Sequence, residues 1–244
     1  MENLKTKLRE FKLAGIVKSI DTRNKFAIDN NISYIEFMQL LMDDELVNRK
    51  ANSFGKRLVK SKINTLKSLD DFDFNYQPKL NKKLILDLAA CRFINENKNI
   101  VFMGKPGTGK THLANAIGLE ALKQGYSVLF LHINDLIDKL NAAKADGSSR
   151  ALMNLLSAAD LLILDEIGFK KIPADFIDGV FEVIRKRYES GSIIITSNRN
   201  FEDWSIIFGD LVMASAIIDR IVHHASIIKI DGDSFRTKNF ILDN

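Results

Sequence analysis

The sequence predicts an α/β protein, a parallel sheet layered between helices and preceded by a small all-α domain. Three observations carry that prediction. Near-continuous apolar runs recur at 99–103, 127–131, 160–164, 192–196 and 226–230, as strands buried on both faces of a parallel sheet require. Helical periodicity fills the intervals at about 110–124, 174–190 and 212–224, with two further helices between Asn134 and Ser157, so the elements alternate in the α/β manner. Ahead of these lies a stretch whose apolar residues recur at helical spacing: Leu4, Leu8 and Phe11, then Ile16, Ile20, Phe26 and Ile28.

The composition is that of an ordinary globular chain. The 244 residues are 46% hydrophobic and 27% charged, which argues against disorder or a fibre. No apolar run approaches the ~20 residues of a membrane span, and Met1-Glu2-Asn3-Leu4-Lys5 opens an amphipathic pattern rather than a signal peptide. A cytoplasmic protein with no membrane contact is expected. Cys91 is the only cysteine, which excludes an internal disulfide and a cysteine metal cluster, and its apolar neighbours place it in a core.

Taken in order, the N-terminal helices lead to Ser33-Tyr34-Ile35-Glu36, a capping box, with Phe37, Met38, Leu40 and Leu41 as the buried face of the helix it starts. Residues 1–70 carry fourteen Lys and Arg against nine Asp and Glu, so the net charge of +4 is concentrated there. From Arg49 to Lys67 there are seven basic residues and no acid. Arg49, Lys56 and Lys60 share one helical stripe with Lys50 and Arg57 beside it, while Val47, Ala51, Phe54 and Leu58 lie opposite and are expected to pack. A one-sign stripe is the footprint of a phosphate-backbone binder, so these five residues are candidates for binding nucleic acid, DNA included; the alternative is a solvated helix face. The helical period lapses over 64–81, which reads as a linker, and it returns from Lys82 to Asn95. The expected domains are therefore 1–68, helical and basic, and 69–244, nucleotide-binding.

The stretch Gly104-Lys105-Pro106-Gly107-Thr108-Gly109-Lys110-Thr111 is a complete phosphate loop, set between the strand ending at Met103 and a helix opening with His112. Its glycines let backbone N–H groups converge on an anion, and the helix N-terminus adds positive potential. Residues Gly104 to His112 are thus expected to hold ATP, with Lys110 on the β- and γ-phosphates and the Thr111 hydroxyl on Mg²⁺. Leu161 to Leu164 run into Asp165-Glu166, which delivers two carboxylates to the C-terminal edge of the sheet. This is a Walker B pattern: Asp165 would hold Mg²⁺ through water and Glu166 would polarise the attacking water. The next strand ends Thr196-Ser197-Asn198-Arg199. Asn198 would orient the water or contact the γ-phosphate, or else cap the turn before Phe201. Arg220 either pairs with Asp219 or reaches a neighbouring subunit's ATP site as an arginine finger.

Walker A, Walker B, a strand-end Asn and a late Arg together resemble the AAA+ ATPases. More closely, the chain is similar to the IstB-type ATP-binding helper proteins of insertion sequences, relatives of DnaC-type helicase loaders. The resemblance runs through Leu69 to Phe74, Gly104 to Thr111, Leu161 to Gly168, Arg187-Tyr188-Glu189, Ile194 to Asn198, Phe208-Gly209-Asp210, Asp219-Arg220 with His223-His224, and Gly232 to Arg236. It implies an N-terminal helical domain, homo-oligomerisation through ATP sites on duplex DNA, and delivery of a transposase. Two departures from general AAA+ architecture stand out. Only fourteen residues follow 226–230, too few for a helical lid, which puts a second-sensor role for Arg236 in doubt. The interval from His132 to Ala159 holds one helix more than a minimal crossover needs and resembles the insertion of initiator-type AAA+ proteins. His223-His224 alone is too short for a metal signal, and packing in a core or at an interface is the expected role.

The leading expectation is an ATP-hydrolysing, DNA-binding transposition helper; a replicative helicase loader is the alternative, differing in the partner docked by residues 1–70. A small-molecule kinase would need a lid with arginines, whereas Asp165-Glu166 and Asn198 suit attack by water. A non-hydrolysing DNA-bound scaffold would use ATP only to lock an oligomer.

Overall fold

A computed structural model describes residues 1–237; residues 238–244, the end of the expected nucleotide domain, lie outside the described residues. The chain divides into two compact units, Met1–Arg57 and a second from Leu58 onward. The division falls earlier than the expected 68/69 and inside a helix. Its physical reason is the anchoring of the segment after that helix: Ile63 is buried, and Asn64 N–H donates to Asn115 Oδ1 at 3.0 Å.

The first unit is built from α1 (Glu2–Glu10), α2 (Ala14–Asn30) and most of α3 (Tyr34–Ser61). The capping box forms as expected: Ser33 N–H donates to Glu36 Oε2 at 2.8 Å, and Glu36 N–H donates to Ser33 Oγ at 3.2 Å. Ile16, Ile20 and Leu41 make a small core with Leu8, Leu13 and Phe37 against it. The buried carboxylate of Glu45 caps α2, accepting from Gly15 N–H at 2.6 Å and Ile16 N–H at 3.2 Å, which satisfies two of the donors a helix start leaves open. Three expected packing residues are exposed instead, Met38, Val47 and Ala51. α3 meets α2 along the line of Phe37, Leu41, Glu45 and Asn48, and Met38, Val47 and Ala51 do not lie on that line.

In the second unit α4 (Lys82–Ala89) and α5 (Arg92–Asn95) replace the single helix expected over 82–95. Cys91 breaks it with a left-handed φ of 58°. Five parallel strands follow, β1 (Asn99–Gly104), β2 (Val128–His132), β3 (Leu161–Ile167), β4 (Ser192–Ser197) and β5 (Ala225–Ile230), in the order β2-β3-β4-β1-β5. Between them lie α6 (Lys110–Gln124), α7 (Ile133–Asp146), α8 (Ser149–Ala158), α9 (Ala174–Arg187), the short α10 (Trp204–Phe208) and α11 (Leu211–Val222). The apolar runs of β1, β3 and β4 are buried on both faces, and Val101, Leu162, Leu164 and Ile195 are wholly inaccessible; at the sheet edge β5 is covered on one face only, with Ile228 and Ile230 buried and Ile227 exposed. At roughly 1.5–3 kcal/mol for each fully buried aliphatic side chain, this core dominates the unit's stability.

Arg187, at the end of α9, is a structural staple rather than a surface cation. Its guanidinium donates to the carbonyls of Leu156 and Ala159 at 2.8 Å, Asp160 at 3.1 Å and Ser192 at 2.8 Å, joining the end of α8 to the start of β4. Burial pushes its pKa down to about 10. No helix among the described residues is long and apolar enough to cross a membrane.

Candidate nucleotide site

The sheet order sets β1 beside β4 and β4 beside β3, so the phosphate loop, the Asp165-Glu166 pair and Asn198 emerge along one edge. The loop leaves β1 at Gly104 and enters α6 at Lys110. Gly107 (φ 80°) and Gly109 (φ 99°) hold left-handed conformations, and each lies where a side chain would collide. A Cβ on Gly107 would come 2.0 Å from Ser234 Oγ, and one on Gly109 would come 2.5 Å from the Phe72 ring. The cradle is therefore shaped to admit only backbone, as a phosphate site requires.

Lys110 Nζ donates to the carbonyls of Gly104 and Lys105, both at 2.7 Å, so the loop closes on its own lysine. Burial, opposed by Asp165 and Glu166 and reinforced by Arg236, brings the Lys110 pKa down to about 8. Thr111 Oγ1 donates to Asp165 Oδ1 at 2.9 Å, and Thr196 Oγ1 donates to the same oxygen at 2.5 Å. Asp165 is fully buried, a cost met by these two hydroxyls. The hydroxyl of Thr111 and the carboxylate of Asp165 are oxygen donors of the kind Mg²⁺ takes, and they already face each other.

Glu166 takes a left-handed φ of 65° at a bulge between Leu164 and Ile167, and its N–H donates to Thr196 Oγ1 at 2.9 Å. The bulge turns Glu166 out of the sheet register while Asp165 stays buried, so the two adjacent carboxylates have different surroundings. Glu166, Asn198, Thr196, Lys110, Thr111 and Arg236 line one part of the cleft, with a volume of about 80 Å³. The side-chain oxygen of Asn198 is buried there without a hydrogen-bond partner. An acceptor left open in a cleft of this chemistry suits a bound water or phosphate ligand.

A second part of the cleft, of about 300 Å³, shares Gly107, Lys110 and Thr111 with the first. Phe72, Tyr76, Gln77 and Phe235 line it, together with Lys67 and Arg236. The irregular stretch 64–81 is thus no free linker. His112 Nε2 lies 2.6 Å from the Ser68 carbonyl, Phe72 packs edge-on against His112, Tyr76 Oη donates to the Ser234 carbonyl at 3.1 Å, and Gln77 Nε2 donates to the Asp233 carbonyl at 3.0 Å. These contacts hold a ring-lined wall beside the cradle. Periodicity could not find it, because the residues form no regular element; the signal was the run Leu69 to Phe74, aromatic residues in an otherwise polar loop. His112 turns toward Ser68 and Phe72.

His132 was missed by motif reasoning. Its Nδ1 sits 3.2 Å from Asp165 Oδ2 and 4.0 Å from Glu166 Oε2, and the three residues offer ligand atoms close enough to share a cation. A histidine at the last residue of a strand was the available signal.

Arg220 lies on α11, donates to the Ala216 carbonyl at 2.8 Å and stacks over Phe181 at 4.9 Å. Arg236 by contrast lines both parts of the cleft. Of the basic stripe, all on α3, Arg49 pairs with Glu45 at 2.7 Å and Arg57 donates to Ser53 Oγ at 2.6 Å, while Lys50, Lys56 and Lys60 are exposed.

This sheet order, cradle and carboxylate pair define a phosphate-loop domain of the AAA+ fold. The chain belongs to the family of IstB-like ATP binding proteins, whose family model matches residues 6–241. It is 38% identical over 88% of its length to a protein of Geobacillus stearothermophilus named for ATP binding in insertion sequence IS5376, and covers 85% of that protein. To the corresponding protein of insertion sequence IS21 of Pseudomonas aeruginosa it is 35% identical, over 98% of this chain and 90% of the other. Among solved structures it is similar to the replication initiator DnaA bound to AMPPCP and single-stranded DNA, with a TM-score of 0.59 and 23% identity over 75% of this chain and 58% of that one. It is also similar to DnaI, with a TM-score of 0.57 and 24% identity over 67% of this chain and 90% of that one. At these identities the two structures speak for the fold.

Proposed function

We propose that the protein hydrolyses ATP, assembles on duplex DNA through its ATP sites and recruits or stimulates a transposase. The observation that carries the ATPase reading is the convergence of Lys110, the Thr111–Asp165 pair, Glu166 and the unpartnered Asn198 oxygen on one cleft. The cradle from Gly104 to His112 binds the triphosphate, and Lys110 exchanges its two carbonyl partners for phosphate oxygens. Thr111 and Asp165 would hold Mg²⁺, which when bound would neutralise charge building on the phosphates. Glu166 takes a proton from the attacking water, Asn198 accepts that water's other O–H and fixes its direction, and Arg236 adds positive charge in the same subunit. Arg220, which lies on α11 against Phe181, serves a neighbouring subunit's site.

The insertion-sequence relatives favour a transposase as partner, and the basic face of α3 favours a nucleic-acid backbone. A helicase loader would share the same ATPase core; the likeness to DnaI supports the core, not the partner.

Phosphate release measured with and without duplex DNA tests the reading. Glu166→Gln is expected to bind ATP and to hydrolyse it about 10²–10⁴-fold more slowly, the range for loss of a general base. Lys110→Ala is expected not to bind. Mixtures of Arg220→Ala with Lys110→Ala subunits should regain hydrolysis if Arg220 works across an interface. Normal turnover by Glu166→Gln would remove the assignment of the water-activating carboxylate, and silent mixtures shown to co-assemble would remove that of Arg220.

A further inference from the structure

The nucleotide cleft leaves one sequence feature unused, the pair His223-His224, for which the pattern alone suggests packing. Both histidines are exposed in the single chain, at the C-terminal end of α11, so they do not pack in its core. The fold brings Glu189 to them from the end of α9, 34 residues before His223 in the chain, and Glu189 is exposed as well. One ligand atom from each of the three lies within 4.8 Å of the other two. Around an ion bonded at ~2.0–2.1 Å, ligand atoms lie no more than roughly 4.2 Å apart, so small side-chain rotations close the set. The two imidazole rings already lie 4.0 Å apart, centroid to centroid.

A second feature orients the set. Tyr188 Oη is 2.9 Å from His223 Nδ1. When that nitrogen donates its proton to the tyrosine oxygen, Nε2 keeps its lone pair for a metal, the outer-shell arrangement by which a ligating histidine is held in one tautomer. We propose that Glu189, His223 and His224 form a binding site for a divalent transition ion of the zinc class, separate from the nucleotide cleft. Two imidazoles and one carboxylate are a ligand set that zinc accepts, with a fourth position left to solvent. Imidazole nitrogen also selects against Mg²⁺, which prefers oxygen donors. The ion would tie the end of α9 to the end of α11. Arg220 lies three residues before His223 on that helix and stacks on Phe181 of α9, so metal binding would stiffen the support of this arginine.

The test is titration of untagged, nucleotide-free protein with ZnCl₂ by calorimetry, in parallel with thermal melting. Wild-type protein should bind one equivalent at this site with micromolar or better affinity, melt at a higher temperature with Zn²⁺, and resist displacement by excess Mg²⁺. His224→Ala and Glu189→Gln, both at exposed positions, should each weaken that binding at least tenfold and abolish the melting shift. His132→Ala, which alters the cation-capable group in the nucleotide cleft, should leave it unchanged. Absence of Zn²⁺ binding, equal affinity in His224→Ala and Glu189→Gln to that of wild type, or loss confined to His132→Ala would each overturn the proposal.

Discussion

His132 Nδ1 stands 3.2 Å from Asp165 Oδ2 because β2 pairs with β3 in the register that sets His132 directly opposite Asp165. The imidazole therefore contacts the carboxylate proposed to hold Mg²⁺ and comes within 4.0 Å of Glu166. Thr111 and Thr196 still anchor Asp165 without it. His132→Ala is expected to leave the fold and the affinity for a fluorescent ATP analogue within about twofold, while hydrolysis or its Mg²⁺ requirement worsens by ~10–100-fold, the usual effect of losing an outer-shell partner. Unaltered turnover and Mg²⁺ dependence would show that the contact is incidental.

Lys110 supplies a pH dependence whose sign is determined. In the free protein its pKa is brought down to about 8, chiefly by burial. Phosphate oxygens favour the charged form, so the bound pKa is higher, and nucleotide binding takes up a proton between the two values. Affinity should be level below pH 8 and fall as pH rises through it, by up to about tenfold per unit. Calorimetry at about pH 8.5 in buffers of different ionisation enthalpy should register the uptake; proton release on binding would contradict it.

Arg187 should matter for stability and not directly for chemistry. Its removal takes a donor from five carbonyls at the junction of α8 and β4, those of Leu156, Ser157, Ala159, Asp160 and Ser192. Arg187→Leu is expected to cost about 3 kcal/mol, which for a chain of this size lowers the melting temperature by roughly 6–12 °C. A melting temperature within a degree or two of wild type would refute this account.

For the basic face of α3, the exposed residues Lys50, Lys56 and Lys60 make the discriminating variant, since Arg49 and Arg57 have partners within the protein. Reversing all three to Glu should weaken duplex binding alike across sequences, and the log–log salt slope should flatten by about 0.9 for each phosphate that is no longer neutralised. ATPase activity without DNA should persist. An unchanged slope would leave α3 as a solvated face.

The sequence by itself determined the strands, the parallel sheet and the phosphate loop. Each follows from local chemistry: apolar runs such as Ile193 to Ile195 have nowhere to go but a sheet buried on both faces, and Gly107 and Gly109 are required by backbone that no other residue would adopt. The capping box at Ser33 and Glu36 was equally legible, because its bonds span three residues. Tertiary structure alone decided what depends on register or on irregular backbone. His132 meets Asp165 only through strand pairing, Phe72 and Tyr76 wall the cleft from a stretch with no period, and Glu189 reaches His223 only where α9 and α11 end together. It also decided which periodic apolar residues stay outside. Val47 and Met38 carry a helical pattern, but a pattern names a face without supplying the surface that covers it.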